Sequence, residues 1–226
     1  MRKLTFLLVL AVLGVILAGC GSPPPLVSEK YLADTSIISQ DPCGPPCFAG
    51  ITVGETTFAD ALSKIKANTT AFKDVQSQDD PPQAAWSDAV NGEACCQMTA
   101  DKNTGLVDAI LLRLAPKITI KDVIAKYGEP EYVSVLGQDY SADETAVGLI
   151  YPKIGNVLWV MPGNGSSTLD ENDPVVIALY FAPDTIQDLL STATLMKWTG
   201  YESVSFYRTA TPIVTPIPTT TPTPAP

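Results

Sequence analysis

The strongest constraint on how this chain folds is a short pattern that occurs twice. Thr57-Phe58-Ala59-Asp60-Ala61-Leu62-Ser63-Lys64-Ile65 matches Thr119-Ile120-Lys121-Asp122-Val123-Ile124-Ala125-Lys126-Tyr127 in its Thr, Asp and Lys and in the placing of its apolar residues. Both copies start a helix for the same reason. A threonine at the N-cap accepts a hydrogen bond from a free N–H of the first turn, and a carboxylate three residues on can answer it. Phe58, Ala61, Leu62 and Ile65 fall at i, i+3, i+4 and i+7, one face of a helix, and Ile120, Val123, Ile124 and Tyr127 do the same. Gly128 followed by Pro130 ends the second helix.

Each helix is followed by runs with strand character. In the first half they lie at Phe72–Val75, Ala84–Trp86, Ala94–Thr99 and Leu106–Leu114. In the second they lie at Tyr132–Leu136, Ala146–Tyr151, Asn156–Met161 and Val175–Phe181. The last two are apolar enough for central strands, and Asp101–Gly105 has hairpin-turn chemistry. A short helix is expected after Asp184, burying Ile186, Leu189 and Leu190. The expected fold class is α+β, with two related helix-plus-antiparallel-meander units forming one sheet with helices on one face. The expected domain is 43–207, with units at about 50–115 and 116–182 and a C-terminal element at 183–207.

Before this domain, Arg2 and Lys3 precede an apolar run from Leu4 to Ala18 that ends in Leu17-Ala18-Gly19-Cys20. The run falls short of the roughly 20 residues a spanning helix needs. The order of charge, apolar run and small residues before a cysteine resembles a bacterial lipobox. That resemblance implies a signal peptide at 1–19, lipidation of Cys20, and a domain held at the extracytoplasmic face of the cell membrane. Residues 20–42, with Pro23-Pro24-Pro25, are expected to be a linker. Residues 208–226, almost wholly Thr, Pro, Ile, Val and Ala, are expected to be a disordered, extended tail, glycosylated or wall-associated if it has a role.

Loss of Arg2 and Lys3 with a signal peptide would move the formal net charge from −10 to −12. An acidic chain disfavours nucleic acid as a partner. Histidine is absent, which excludes a histidine-based triad or a histidine-ligated zinc from this chain. With Cys20 assigned to lipid, Cys43, Cys47, Cys95 and Cys96 remain, and an even number in an exported chain reads as two disulfides. Crosswise pairing of 43/47 with 95/96 is favoured, because a bridge between neighbouring residues strains the peptide between them. Each crosswise bridge would close about fifty residues and contribute roughly 4 kcal/mol in the chain-entropy model. Ligation of a metal by all four thiolates is the weaker reading, since neighbours on a strand face opposite ways.

No catalytic motif stands out. Asp170-Glu171-Asn172-Asp173, in the loop that begins at Gly163, offers oxygens that calcium accepts but matches no loop motif. Ser166 and Ser167 lack a nucleophile-elbow context. Trp86, Trp159 and Trp198 can stack on sugars but serve first as core residues. No cofactor and no metal is implied.

Pro46-Cys47-Phe48-Ala49-Gly50-Ile51-Thr52-Val53-Gly54-Glu55-Thr56-Thr57 resembles a segment of uncharacterised bacterial surface lipoproteins, and Lys197-Trp198-Thr199-Gly200-Tyr201 resembles their closing element. More distantly, the tandem plan is similar to small outer-membrane-assembly lipoproteins and to the β-lactamase-inhibitor-protein fold. The first resemblance carries no activity; the second implies binding or scaffold proteins by fold-level analogy, and the expected function is a non-catalytic binding or interaction module, with an envelope protein or glycan as partner. The competing expectations are a carboxylate-dependent envelope hydrolase, which needs a cleft with two carboxylates about 5–10 Å apart, and a structural wall-associated protein.

Overall fold

The computed structural model describes residues 25–135, 146–162 and 166–213. Cys20 and the segments before Pro25 and after Ile213 lie outside them.

The two threonine caps form as their spacing requires. Helix α2 (Phe58–Ala67) begins at Thr57, whose Oγ1 accepts from the Asp60 N–H at 3.2 Å. Helix α3 (Ile120–Tyr127) has the full reciprocal box: Thr119 Oγ1 accepts from the Asp122 N–H, and the Thr119 N–H donates to Asp122 Oδ2 at 2.9 Å. Thr119→Ala should therefore lower the unfolding free energy by about 1 kcal/mol. An unchanged midpoint in urea would contradict this role for the cap.

The fold is α+β and dominated by one large antiparallel sheet of nine strands. A small ribbon comes first, β1 (Cys47–Phe48) with β2 (Ile51–Thr52). The sheet comprises β3 (Phe72–Asp79), β4 (Pro82–Asp88), β5 (Ala94–Ala100), β6 (Val107–Arg113), β7 (Tyr132–Val135), β8 (Val147–Tyr151), β9 (Asn156–Val160), β10 (Val175–Phe181) and β11 (Met196–Lys197). Their order is β11-β7-β8-β9-β10-β6-β5-β4-β3. All eight expected strands are present, apart from Leu136, which lies outside the described residues. Strand β10 pairs with β6 in the middle of the sheet, from Ile177 opposite Arg113 to Phe181 opposite Ala109.

One face of the sheet carries the main core. Phe58, Ala61 and Ile65 of α2 and Ile120 and Val123 of α3 join Trp86, Met98, Ile110, Leu112, Leu149, Leu158, Ala178 and Tyr180 in a single buried cluster. Side chains alternate along a strand, so Ile150, Val157, Leu179 and Phe181 point to the reverse face. There they meet Leu189 and Leu190 of helix α4 (Pro183–Thr192), together with Leu195. This explains why β8 and β9 are apolar on nearly every residue: both of their faces are covered. Strand β5 alternates instead from Cys96 on, with Gln97 and Thr99 exposed, and β3 is exposed on both faces from Gln76 to Asp79.

The region expected to be a linker takes part in the fold. Tyr31, Leu32 and Ile37 are buried, Leu32 bridges Leu114 of the sheet, and Ser36–Ser39 form helix α1. The Tyr127 hydroxyl donates to the Ile37 carbonyl and ties α3 to this segment. Burial holds the Asp34 carboxyl above its ordinary range, opposed only in part by the Ser36 hydroxyl and N–H that donate to Oδ2. A carboxyl raised on folding favours the folded state most when protonated, and that contribution is lost as pH rises through the folded pKa. Asp34→Asn should thus raise the thermal midpoint at pH 7 and give little difference at pH 3. An equal difference at both values would rule out this origin.

Candidate functional site

The reverse face of β3–β6 is not covered by α4, and two irregularities bend it. Between Lys73–Ser87 and Gln76–Ala85, β3 carries an extra residue, and Asp74 there has a φ of 54°. One step along β4, from Trp86 to Ser87, is matched by two along β5, from Cys96 to Ala94, so Cys95 is the bulged residue. A bulge locally increases twist and bends its strand. The result is two concavities of about 340 and 380 Å³ that share Gln76, Ala85 and Gln97. The first also takes Gln78, Gln83 and Thr99. The second takes Asp74, Ser87, Leu111, Arg113 and both Cys95 and Cys96.

The bulge also decides the sulfur pairing and corrects the crosswise expectation. Cys43 is joined to Cys47, with Cα atoms 5.7 Å apart, and Cys95 to Cys96, with Cα atoms 3.7 Å apart. Neighbours on a regular strand face opposite ways, but Cys95 sits where the alternation is broken, which brings the two sulfurs together. Such local bridges restrain the unfolded chain far less than crosswise ones. The chain-entropy relation assigns about 2 kcal/mol to a loop of this kind at 43–47 and about 1 kcal/mol at 95–96. Both Cys95 and Cys96 are buried beneath the second concavity.

Arg113 is the cation of this face. Its guanidinium carbon lies 5.7 Å from the centroid of Tyr31, and Nη1 is 3.5 Å from the Tyr31 hydroxyl. That hydroxyl donates to the Pro25 carbonyl at 2.6 Å, so the N-terminal segment forms a wall beside Arg113. Among the described residues no carboxylate pairs with Arg113, whereas Lys102, Lys117 and Lys121 each take one.

The other sequence candidates are explained by local structure. In the acidic loop, Asp170 Oδ1 accepts from Asn172, Asp173 Oδ2 accepts from the Asp170 N–H, and Glu171 pairs with Lys121. Hydrogen bonds from the Asn172 N–H and amide hold the Asp170 carboxyl below its ordinary range. Asp101 accepts from the Thr104 and Asn103 N–H groups, which lower its pKa and close the β5–β6 turn. Among the described residues no group of three or more His, Cys, Asp or Glu side chains converges as a metal site. Ser166 Oγ donates to the Thr168 carbonyl, and residues 163–165 lie outside the described residues. Trp86 and Trp198 are buried in the main core, while Trp159 packs on the reverse face over Gly148, where a Cβ would lie 3.1 Å from its ring.

The glutamines of this face were not singled out from sequence. Their signal was available in principle: Gln76 and Gln78 are two residues apart, and a strand puts such residues on one face. Comparison of the chain with protein-family models, curated proteins and solved structures yields no match.

Proposed function

We propose that the chain is a lipid-anchored, extracytoplasmic binding module whose ligand sits on the reverse face of β3–β6. The observation that carries this reading is the pair of joined concavities, open on one side and lined by amides, hydroxyls and one guanidinium. Such a surface offers donors and acceptors in fixed positions on a rigid sheet, which suits recognition. A carboxylate-dependent hydrolase needs two acids facing one another, and among the described residues Asp74 is the single acid lining these concavities. The anchor reading rests on the order of Arg2, Lys3, the apolar run and Cys20.

The architecture is read as two related units, α2 with β3–β6 and α3 with β7–β10. Each is a capped helix followed by four antiparallel neighbours, and their last strands meet at the middle of the sheet. Both repeat helices contribute to the same core. Helix α4 then belongs to a C-terminal addition that covers the reverse face of the second unit and leaves that of the first open.

The test is a nuclear magnetic resonance titration of the full-length chain in detergent micelles. The panel comprises glucose- and glucuronate-terminated disaccharides, an acidic and a neutral tetrapeptide, and acetate. Shifts confined to the amides of Gln76, Ala85, Gln97 and their neighbours support the reading. Shifts confined to other surfaces, no shifts at all, or hydrolysed probe would contradict it.

A further inference from the structure

We propose that the ligand of this face is a carboxylated saccharide, with Arg113 as the counter-ion of its carboxylate. The inference rests on the open face of β3–β6 being the binding surface. Its first support is charge. The chain has 24 acidic and 14 basic residues, yet the guanidinium at the rim of the second concavity has no carboxylate partner among the described residues. Arginine presents a planar fork of five donors suited to a carboxylate, and here the face of the Tyr31 ring and one long contact to its hydroxyl engage it. Tyr31 is 2% exposed and fixed in turn to Pro25, so the fork is held before any ligand arrives. The acid that shares the concavity, Asp74, is on β3, three strands from β6, roughly 14 Å away at the usual strand spacing. It is too distant to neutralise Arg113 and leaves that position to a ligand.

The second support is the remainder of the lining. Gln76 and Gln97 each end in an amide that both donates and accepts, and Ser87 adds a hydroxyl. Ala85, Leu111 and the Cys95–Cys96 bridge supply apolar surface between them. A sugar ring has the matching character, hydroxyls around its edge and C–H groups on its faces. The volume of about 380 Å³ is within the range of small-molecule sites. In the joined first concavity, Gln78, Gln83 and Thr99 continue the same chemistry away from Arg113. This suits a chain of sugars with its acidic residue at the arginine end.

The test uses the full-length chain in micelles with the two disaccharides and the acidic tetrapeptide as probes. The glucuronate-terminated disaccharide should bind at least about tenfold more tightly than its glucose-terminated counterpart. Arg113→Gln should erase that preference, and Arg113→Lys should keep part of it. The unfolding midpoint of each variant shows that it is folded. Equal affinities for the two sugars, or an acidic preference that survives Arg113→Gln, would overturn the assignment while leaving the binding face in place. Binding by the acidic peptide but by neither sugar would also overturn it and would name a peptide instead. If no probe perturbs the face, both this inference and the binding face fall.

Discussion

Tyr180→Ala should lower the unfolding free energy by about 4 kcal/mol, the range for removing a fully buried aromatic ring. Tyr180 is completely buried on β10, opposite Ile110 of β6 on one side and Asn156 of β9 on the other. Its ring centroid is 6.2 Å from that of Phe48, which in turn meets Phe72, and Phe72 meets Trp86 edge-on. Loss of the ring would open a cavity where β6 and β10 join and where the N-terminal ribbon packs. Burial, reinforced by the charge of Asp34, pushes the Tyr180 phenol pKa well up, so the ring stays neutral at physiological pH. Tyr180→Phe, which keeps the ring, should cost about 1 kcal/mol or less. Equal losses for the two variants in denaturant titrations would show that the hydroxyl, not the packing, matters.

Gly155→Ala should cost about 3 kcal/mol, large for a single methyl group. Gly155 turns the chain from β8 into β9 with a φ of +65°, where an L side chain is strained. An added Cβ would also come within 2.7 Å of the Phe181 carbonyl oxygen. That oxygen cannot easily give way, because the Phe181 N–H donates to the Gly155 carbonyl at 2.8 Å and holds the turn against the end of β10. Denaturant midpoints with an unchanged slope would measure the loss. A change below about 1 kcal/mol would mean that the turn relaxes freely.

Much of this architecture was legible because it is local. Thr57 and Thr119 cap helices through residues three positions away, and the apolar spacing of Ile120, Val123, Ile124 and Tyr127 needs no distant partner. Strands β8, β9 and β10 announce themselves by unbroken apolar runs, and the structure supplies the reason in the two covered faces. Strand character in the sequence of β3 ends at Val75. Its remainder, Gln76-Ser77-Gln78-Asp79, is polar because the strand lies at the sheet edge and is exposed there on both faces, so composition alone resembles a loop.

What was not legible is non-local. The crosswise sulfur pairing failed because a bulge is a mismatch in count between two strands and leaves no mark at Cys95 itself. The N-terminal segment reads as a linker in sequence because its buried apolar residues, Tyr31, Leu32 and Ile37, are too sparse to form a period. Arg113 carries no sequence signal for a related reason. Within its own strand it alternates normally after Leu111, and what sets it apart is Tyr31 beside it and, among the described residues, no carboxylate paired with it.

Filling the concave face should silence it. Ala85 is exposed and central to both concavities, so Ala85→Trp adds bulk there without disturbing the core on the other side of the sheet. The variant should unfold within about 0.5 kcal/mol of the native chain and lose the resonance shifts that the saccharide and peptide panel produces at Gln76 and Gln97. Undiminished binding by a folded Ala85→Trp chain would contradict the placement of the ligand on β3–β6.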